Sequence, residues 1–320
     1  MPNKSPSAAA TRRKFLRGAA LATAATVVAP SVVRAQGPVN LRWQSTWPSK
    51  DIFHEYALDY AKKVNDMTGG DLKIEVLPAG AVVPAFGLID AVSKGTLDGG
   101  HGVLVYHYGK QNALALWGSG PGYAMDANML LAWHKYGGGK ELLAKLYASL
   151  GLNVVSFPYG PMYTQPLGWY KKPITKPEDF QGLKFRTVGL SIDVFQGMGA
   201  AVNALPGGEI VSAMDRGLIE AASQDMMWKS IDRYSQDYIE LQTKDNVKFY
   251  KTPDSVLKKQ LEVYDVVAAK KSAENPLFKE IIASQIAFAR RATQWEQDTV
   301  VSRKMVFDHY FGPQGVAKKT

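Results

Sequence analysis

The chain has 320 residues, of which 46% are hydrophobic and 21% charged, and it contains no cysteine. At roughly 150 residues per domain, this length predicts two globular domains, and the apolar content excludes a disordered or fibrous chain. Without cysteine there can be no disulfide, no cysteine nucleophile and no thiolate metal site. The five histidines show no metal-binding spacing, which argues against a structural zinc site.

The net charge of +9 is concentrated at the N-terminus. Residues 1–35 carry six basic residues and no acidic one, so the rest of the chain has a net charge of only +3. Because a nearly neutral body offers no phosphate-binding surface, we expect no nucleic-acid partner.

Residues 1–35 have the layout of a cleaved signal peptide. The pair Arg12-Arg13 precedes an apolar stretch from Gly18 to Val33, and Ala35 ends a small-residue cleavage site. The alternative, a membrane anchor, is disfavoured because this stretch is too short and too weakly apolar for ~30 Å of hydrocarbon. The adjacent arginines resemble the twin-arginine motif, so we predict export to the periplasm by that route.

The mature chain alternates predicted strands and helices in two runs. The first run has predicted strands at 41–47, 72–76, 98–105 and 153–157, and predicted helices at 53–64, 85–94, 125–136 and 140–150. The second has predicted strands at 168–170, 183–187, 201–205 and 218–222, and predicted helices at 191–198 and 208–216. From Pro253 the chain is predicted to be almost entirely helical, with a break at Asn275-Pro276.

This alternation predicts an α/β protein with mixed, mostly parallel sheets. We predict one lobe over residues 36–158, a second over 159–240, and a helical region over 241–320 that packs across both. In such folds the ligand lies beyond the carboxyl ends of the strands.

The motifs of several enzyme classes are missing. The sequence has neither a P-loop nor a G-x-S-x-G motif, which argues against a nucleotide hydrolase and an α/β-hydrolase. Aromatic residues near predicted strand ends, Trp47, Tyr106 and Trp169 among them, could wall a small pocket, although most such residues belong to a core. Arg186 is predicted on the strand face opposite Phe185, where a guanidinium either pairs internally or binds a ligand carboxylate.

Four stretches together resemble the solute-receptor subunit of tripartite ATP-independent periplasmic (TRAP) transporters. They are residues 45–48 (STWP), 176–186 (KPEDFQGLKFR), 203–217 (NALPGGEIVSAMDRG) and 132–139 (AWHKYGGG). The last is similar to a stretch of the branch that binds α-keto acids and related monocarboxylates. The resemblance implies a type II-like two-lobed binding-protein fold that closes on a small organic anion and delivers it to a membrane permease.

The resemblance also assigns roles to site residues. It implies that Arg186 pairs with the ligand carboxylate and that Gln165 and Trp169 lie at the site. It places Ser223, followed by Gln224, where relatives have the acidic ligand of a cation. Because losing a carboxylate weakens a hard-cation site, we expect at most a weakly bound Na⁺ or Ca²⁺ near Gln165 and no other cofactor.

One departure from the family lies near residues 240–252, where the chain looks some tens of residues short. This motivates the alternative of a degenerate member with a non-transport interaction role, while a periplasmic enzyme is a weaker alternative because no nucleophile or acid/base pair has usable spacing. We expect no enzymatic activity. Some relatives dimerise through a long C-terminal helix, so a homodimer is a further expectation.

Replacing Arg12-Arg13 by Lys-Lys should leave the precursor in the cytoplasm, because the twin-arginine receptor reads the paired guanidinium groups. Fractionation of expressing cells followed by immunoblotting measures this. Normal periplasmic yield of the double-lysine variant would contradict the twin-arginine route.

Overall fold

The protein was analysed as a computed structural model, which describes residues 37–119, 122–158, 167–216, 221–222, 229–300 and 302–312. Two sheets with surrounding helices are followed by a helical C-terminal region. Among the described residues, no helix is both long and apolar enough to cross a bilayer.

The first lobe, as we use the term, is built on a three-stranded sheet and the elements that follow it up to residue 158. Its strands β1 (Val39–Ser45), β2 (Leu72–Leu77) and β3 (Gly99–His101) are all parallel, in the order β2-β1-β3. Its helices are α1 (Ile52–Met67), α2 (Leu88–Ser93), α3 (Ala127–Tyr136) and α4 (Gly139–Ser149). The α1 helix begins after Asp51, whose side chain accepts a hydrogen bond from the Phe53 N–H.

The second lobe is built on a four-stranded mixed sheet. Its strands are β4 (Trp169–Tyr170), β5 (Lys184–Arg186), β6 (Ala201–Asn203) and β7 (Ala221–Ala222), in the order β4-β7-β5-β6. Only β4 runs antiparallel to its neighbour among these described pairings. Helices α5 (Ser191–Gly197) and α6 (Ile210–Asp215) follow β5 and β6. The sequence therefore predicts the sheet class correctly.

The C-terminal helices contact both lobes. They are α7 (Lys229–Thr243), α8 (Asp254–Glu274), α9 (Pro276–Thr299) and α10 (Arg303–Phe311). The α8 helix packs against α5, whereas α9 packs against α3 and α4, and α8 and α9 contact each other. The predicted break between them is confirmed: Asn275 accepts hydrogen bonds from the N–H groups of Leu277 and Phe278, and so caps α9. The domain boundaries at residues 158 and 240 remain predictions.

The AWHKYGGG stretch docks α9 onto the first lobe. Trp133 is fully buried, its indole Nε1 donates to Ser284 Oγ at 3.0 Å, and Ser284 Oγ donates to the Gly137 carbonyl at 3.0 Å. A methyl group at Gly139 would lie 2.6 Å from the His134 Cα atom, so the close approach of α3 and α4 requires glycine there. In the structure, these residues therefore serve helix packing.

One continuous hydrophobic core connects the lobes. It includes Ile89 and Leu114 of the first lobe, Phe185 and Phe195 of the second, and Phe278 of α9. Smaller clusters lie between α1 and its sheet and under α2. The lobes are consequently not two separate hydrophobic units.

Two strand predictions of the first lobe are wrong in extent. The strand predicted at 98–105 ends at His101, after which a 3₁₀ turn covers Leu104–His107. The stretch predicted as a strand at 153–157 forms no strand in the described structure, and Val155 and Phe157 are 77% and 82% exposed. Periodicity alone could not reveal whether a partner strand is available.

Candidate functional site

A cleft of about 480 Å³ lies where the two lobes meet, beyond the carboxyl ends of β5 and β6. The first lobe contributes Phe86, Tyr106 and Tyr108 among others, and the second contributes Val188, Ile192 and Ala204. This is the place where open α/β sheets bind ligands, and the volume lies within the range of small-molecule sites.

The cleft combines apolar walls with a charged edge. The rings of Phe86 and Tyr106 meet edge to face at 5.0 Å, opposite the aliphatic side chain of Ile192. On the first-lobe side, Lys110 Nζ lies 2.8 Å from Asp90 Oδ1, and both side chains are about one third exposed. Such a surface can enclose the carbon skeleton of a small solute and offer polar groups at its entrance.

Arg186 lies at the carboxyl end of β5 and is only 2% exposed. Phe185 beside it is fully buried and packs against Phe195, with the ring centroids 4.3 Å apart. Arg186 Nε and Nη2 both donate to the Leu205 carbonyl, at 2.8 and 2.5 Å. Leu205 directly follows the cleft-lining Ala204, so the guanidinium lies close to the cleft and holds one of its walls.

The loop of residues 205–208, which Arg186 holds at Leu205, also contacts the first lobe. The Gly207 N–H donates to the Tyr106 hydroxyl at 2.9 Å. A methyl group at Gly208 would lie 3.1 Å from Pro48 Cδ, which shows that the backbone packs directly on the first lobe there. Tyr106, predicted only as one of several aromatics near strand ends, thus both lines the cleft and contacts the opposite lobe.

Trp169 shares a row of the second sheet with Arg186. Arg186 pairs with Ala222, and Ala222 pairs with Trp169, which places the two residues two strands, or about 10 Å, apart. The Trp169 side chain is 40% exposed, and its ring lies 5.6 Å from that of Phe249, in the connection between α7 and α8. Trp169 is therefore close in register to Arg186 but is not among the residues lining this cleft.

Trp47 is buried in the first lobe, immediately after β1. Its ring stacks on Phe53 at 4.7 Å and lies 4.9 Å from His101 and 6.5 Å from Tyr106. Trp47 thus packs near the Tyr106 ring but does not itself line the described cleft.

The predicted site residues Gln165, Ser223 and Gln224 lie outside the described residues. Sequence reasoning also missed several residues that form the described cleft, including Phe86, Asp90, Lys110 and Ile192. The Asp90–Lys110 pair has no local signature, whereas the regular spacing of Tyr106 and Tyr108 after β3 was a usable signal.

Two buried histidines in the first lobe carry strongly perturbed pKa values. Burial lowers the pKa of His107 to about 4 and outweighs Asp90 and the Phe86 backbone, which raise it, while Lys110 lowers it further. Burial, assisted by the nearby His54, likewise lowers the pKa of His101 to about 4. Both imidazoles are therefore neutral at neutral pH.

The free energy of unfolding should fall as the pH drops from about 6.5 to about 4. Over that window the unfolded chain binds a proton at each of these histidines and the folded chain does not, at a cost of roughly 3 kcal/mol per group. Urea unfolding at a series of pH values measures this. His107→Leu should flatten the dependence, and a curve parallel to that of the parent would contradict the assignment.

The sequence is similar to those of known solute-binding proteins. A monocarboxylate 2-oxoacid-binding periplasmic protein of Nostoc sp. is 41% identical over 219 residues, which are 66% of this chain and 59% of that protein. A solute-binding protein of Albidiferax ferrireducens is 28% identical over 165 residues, or 51% of this chain and 47% of that protein. The chain thus spans about half to six tenths of the length of these relatives.

Solved structures confirm the two-lobed fold. A TRAP transporter solute binding protein from Bordetella bronchiseptica, a mixed occupancy dimer with copurified calcium and picolinate, has a TM-score of 0.76 at 23% identity and covers 89% of this chain and 100% of that one. A TRAP periplasmic solute binding protein from Pseudoalteromonas atlantica with bound sodium and pyruvate has a TM-score of 0.73 at 24% identity and covers 86% and 99% of the two chains.

The family model for the DctP proteins, described as bacterial extracellular solute-binding protein, family 7, matches residues 44–243. The match covers strands β2 to β7, the last two residues of β1, the cleft and the loop at 205–208. Since it extends over well more than half of the sequence, this chain belongs to family 7 of the bacterial extracellular solute-binding proteins.

Proposed function

We propose that the protein is a periplasmic receptor that captures a small organic carboxylate and delivers it to a TRAP permease. The observation that carries this proposal is the cleft between two lobes, lined from both sides, in a chain of the solute-binding family. The name of the Nostoc relative, which shares 41% of aligned residues, supports a monocarboxylate or 2-oxo acid as the solute class.

The receptor releases its solute unchanged. A thermal-shift screen of mature protein against small mono- and dicarboxylates tests capture, and chromatography of the recovered solute tests whether it is altered. A saturable rise in melting temperature with intact solute supports the receptor. Formation of a product would favour a periplasmic enzyme, and the absence of any stabilising solute would favour a member with a non-transport role.

Arg186 is the residue that we propose to pair with the solute carboxylate. It lies at the carboxyl end of a strand beside the cleft, and its planar fork has five N–H donors, which suit a carboxylate. Two of its nitrogens already hold the Leu205 carbonyl, so the same side chain also fixes the loop against the first lobe.

Arg186→Ala should weaken solute binding at least thirtyfold, because truncating one partner of a buried charged pair costs about 2–5 kcal/mol. Isothermal titration gives the dissociation constant, and calorimetry gives the melting temperature, which should also fall as the Leu205 contact is lost. Arg186→Lys should bind with intermediate affinity because it keeps the charge without the fork.

The exposed Arg290 on α9 provides the matched control. Arg290→Ala should change neither the affinity nor the melting temperature appreciably. If Arg186→Ala lowered the melting temperature and left the dissociation constant unchanged, Arg186 would serve the fold alone.

A cation beside the solute is the second component that we consider. The Bordetella and Pseudoalteromonas proteins hold calcium and sodium, respectively. In this chain the candidate donors are the uncharged Gln165 and Ser223, and no metal-binding group of three or more His, Asp or Glu occurs among the described residues. A donor set without a carboxylate does not fit a tightly held hard cation, so any Na⁺ or Ca²⁺ is weakly bound.

Exhaustive chelation followed by titration in sodium-free buffer should therefore leave the solute affinity within a few-fold of its original value. The comparison is the same titration after Ca²⁺ or Na⁺ has been added back. Loss of binding on chelation and its recovery with the cation would contradict the weak site.

We further propose that a second copy of the chain covers α10. Every residue of α10 is exposed, including Met305 at 69%, Phe307 at 58% and Phe311 at 56%. A soluble protein rarely leaves such a run of large apolar side chains uncovered. The dimeric state of the Bordetella structure supports a like partner.

Phe307→Asp should convert the dimer to a monomer, because it puts a charge into the apolar face that the partner would cover. Sedimentation velocity measures the mass. Phe157→Asp, at an 82% exposed phenylalanine of the first lobe, is the control that should stay dimeric. A monomeric parent, or a dimeric Phe307→Asp variant, would contradict the proposal.

A further inference from the structure

Three polar side chains meet at the rim of the cleft. The Tyr108 hydroxyl donates a short hydrogen bond to Asp193 Oδ2, and Lys271 Nζ lies 3.1 Å from Asp193 Oδ1. The same ammonium group lies 5.5 Å from the centroid of the Tyr108 ring. Each oxygen of the Asp193 carboxylate thus has its own donor, and we call this arrangement the Tyr108–Asp193–Lys271 bridge.

The bridge joins three parts of the molecule. Tyr108 follows the 3₁₀ turn after β3, which is tied to the first lobe through the Phe86–Tyr106 contact. Asp193 lies on α5 of the second lobe, and Lys271 lies on α8, which packs against α5. The Tyr108–Asp193 bond crosses directly between the lobes, and Lys271 contacts both of its partners from α8, whose end is joined to the first lobe where Asn275 Nδ2 donates to Asn112 Oδ1.

The environment makes these contacts stronger than ordinary surface ion pairs. The side chains of Lys271 and Asp193 are only 17% and 24% exposed, whereas the helical pair Lys62–Asp66 is 73% and 64% exposed. Burial raises the pKa of Tyr108 to about 12, so its hydroxyl keeps its proton at neutral pH and remains a donor. Hydrogen bonds to a charged acceptor in such a setting are roughly twice as strong as neutral ones.

The bridge also connects the two sides of the cleft, which must separate when the cleft opens. Tyr108 and Ile192 both line the cleft, from opposite lobes, and Asp193 is the next residue after Ile192. Separating the lobes to admit a solute therefore pulls Tyr108 away from Asp193. Lys271 contacts the other oxygen of the Asp193 carboxylate and so fixes its orientation towards the Tyr108 hydroxyl.

We propose that the Tyr108–Asp193 hydrogen bond, oriented by Lys271, is the latch that holds the cleft closed and sets the residence time of the solute. Tyr108 and Asp193 are positioning residues, since they act on the solute through the lobes. This inference rests on the proposed function for its kinetic consequence, whereas the effect of the contact on the distance between the lobes can be measured separately.

The kinetic test uses Tyr108→Phe, which keeps the ring over Lys271 and removes only the hydroxyl group. The dissociation rate of the best carboxylate found in the screen, measured by stopped-flow tryptophan fluorescence, should rise about tenfold, the effect of one hydrogen bond to a charged group. The association rate should stay unchanged. Tyr136→Phe, at a 73% exposed tyrosine of the first lobe, is the control and should match the parent in both rates.

A second measurement needs no solute. Because the sequence has no cysteine, Met67→Cys and Lys172→Cys give one spin label on each lobe at exposed positions. In the solute-free protein, Tyr108→Phe should shift the label–label distances towards longer values, and Asp193→Asn should do the same. If the parent binds no carboxylate, the proposed function fails while this test still decides the latch.

An unchanged distance distribution in Tyr108→Phe would overturn the latch, as would an unchanged dissociation rate in a parent that binds solute. A purely structural role makes a different forecast: a lower melting temperature with equal effects on association and dissociation.

Discussion

The loop from Leu205 to Gly208 is held from two sides, and the relation between the lobes depends on that clamp. Arg186 holds the Leu205 carbonyl from within the second sheet, while Tyr106 accepts the Gly207 N–H from the first lobe. Since Ala204 lines the cleft, the clamp also fixes the position of one wall. The side chain that we propose to pair with the solute thus also holds the loop that forms part of the cleft wall.

A stretch that is typical of the family need not contact the ligand in this molecule. The AWHKYGGG stretch is similar to a branch of solute receptors, yet Trp133 and Gly139 serve the docking of α9. Receptors for different solutes can share such a packing arrangement, because a buried tryptophan and two closely packed helices tolerate little change in side-chain volume. Ile192 and Phe86, in contrast, line the cleft and do not belong to the family-typical stretches.

Local chemistry made much of the fold predictable, and long-range contacts account for what was missed. Asn275-Pro276 ends one helix and caps the next by short-range rules, and the strand predicted around Phe185 and Arg186 is present as β5. The need for glycine at the start of β3 could not be foreseen, because a side chain at Gly99 or Gly100 would collide with Trp43 or Leu88, which are distant in sequence. The same holds for the Asp90–Lys110 pair and for Trp169, whose ring contacts Phe249 far along the chain.

The continuous core described above has a consequence for how the protein unfolds. Because Ile89, Phe185 and Phe278 belong to one cluster, exposing the apolar surface of either lobe removes packing partners from the other. Heat or denaturant should then produce a single cooperative transition, in which the ratio of van't Hoff to calorimetric enthalpy is close to one. We therefore expect that neither lobe folds on its own. The movement that admits a solute must leave the packing of this shared core intact.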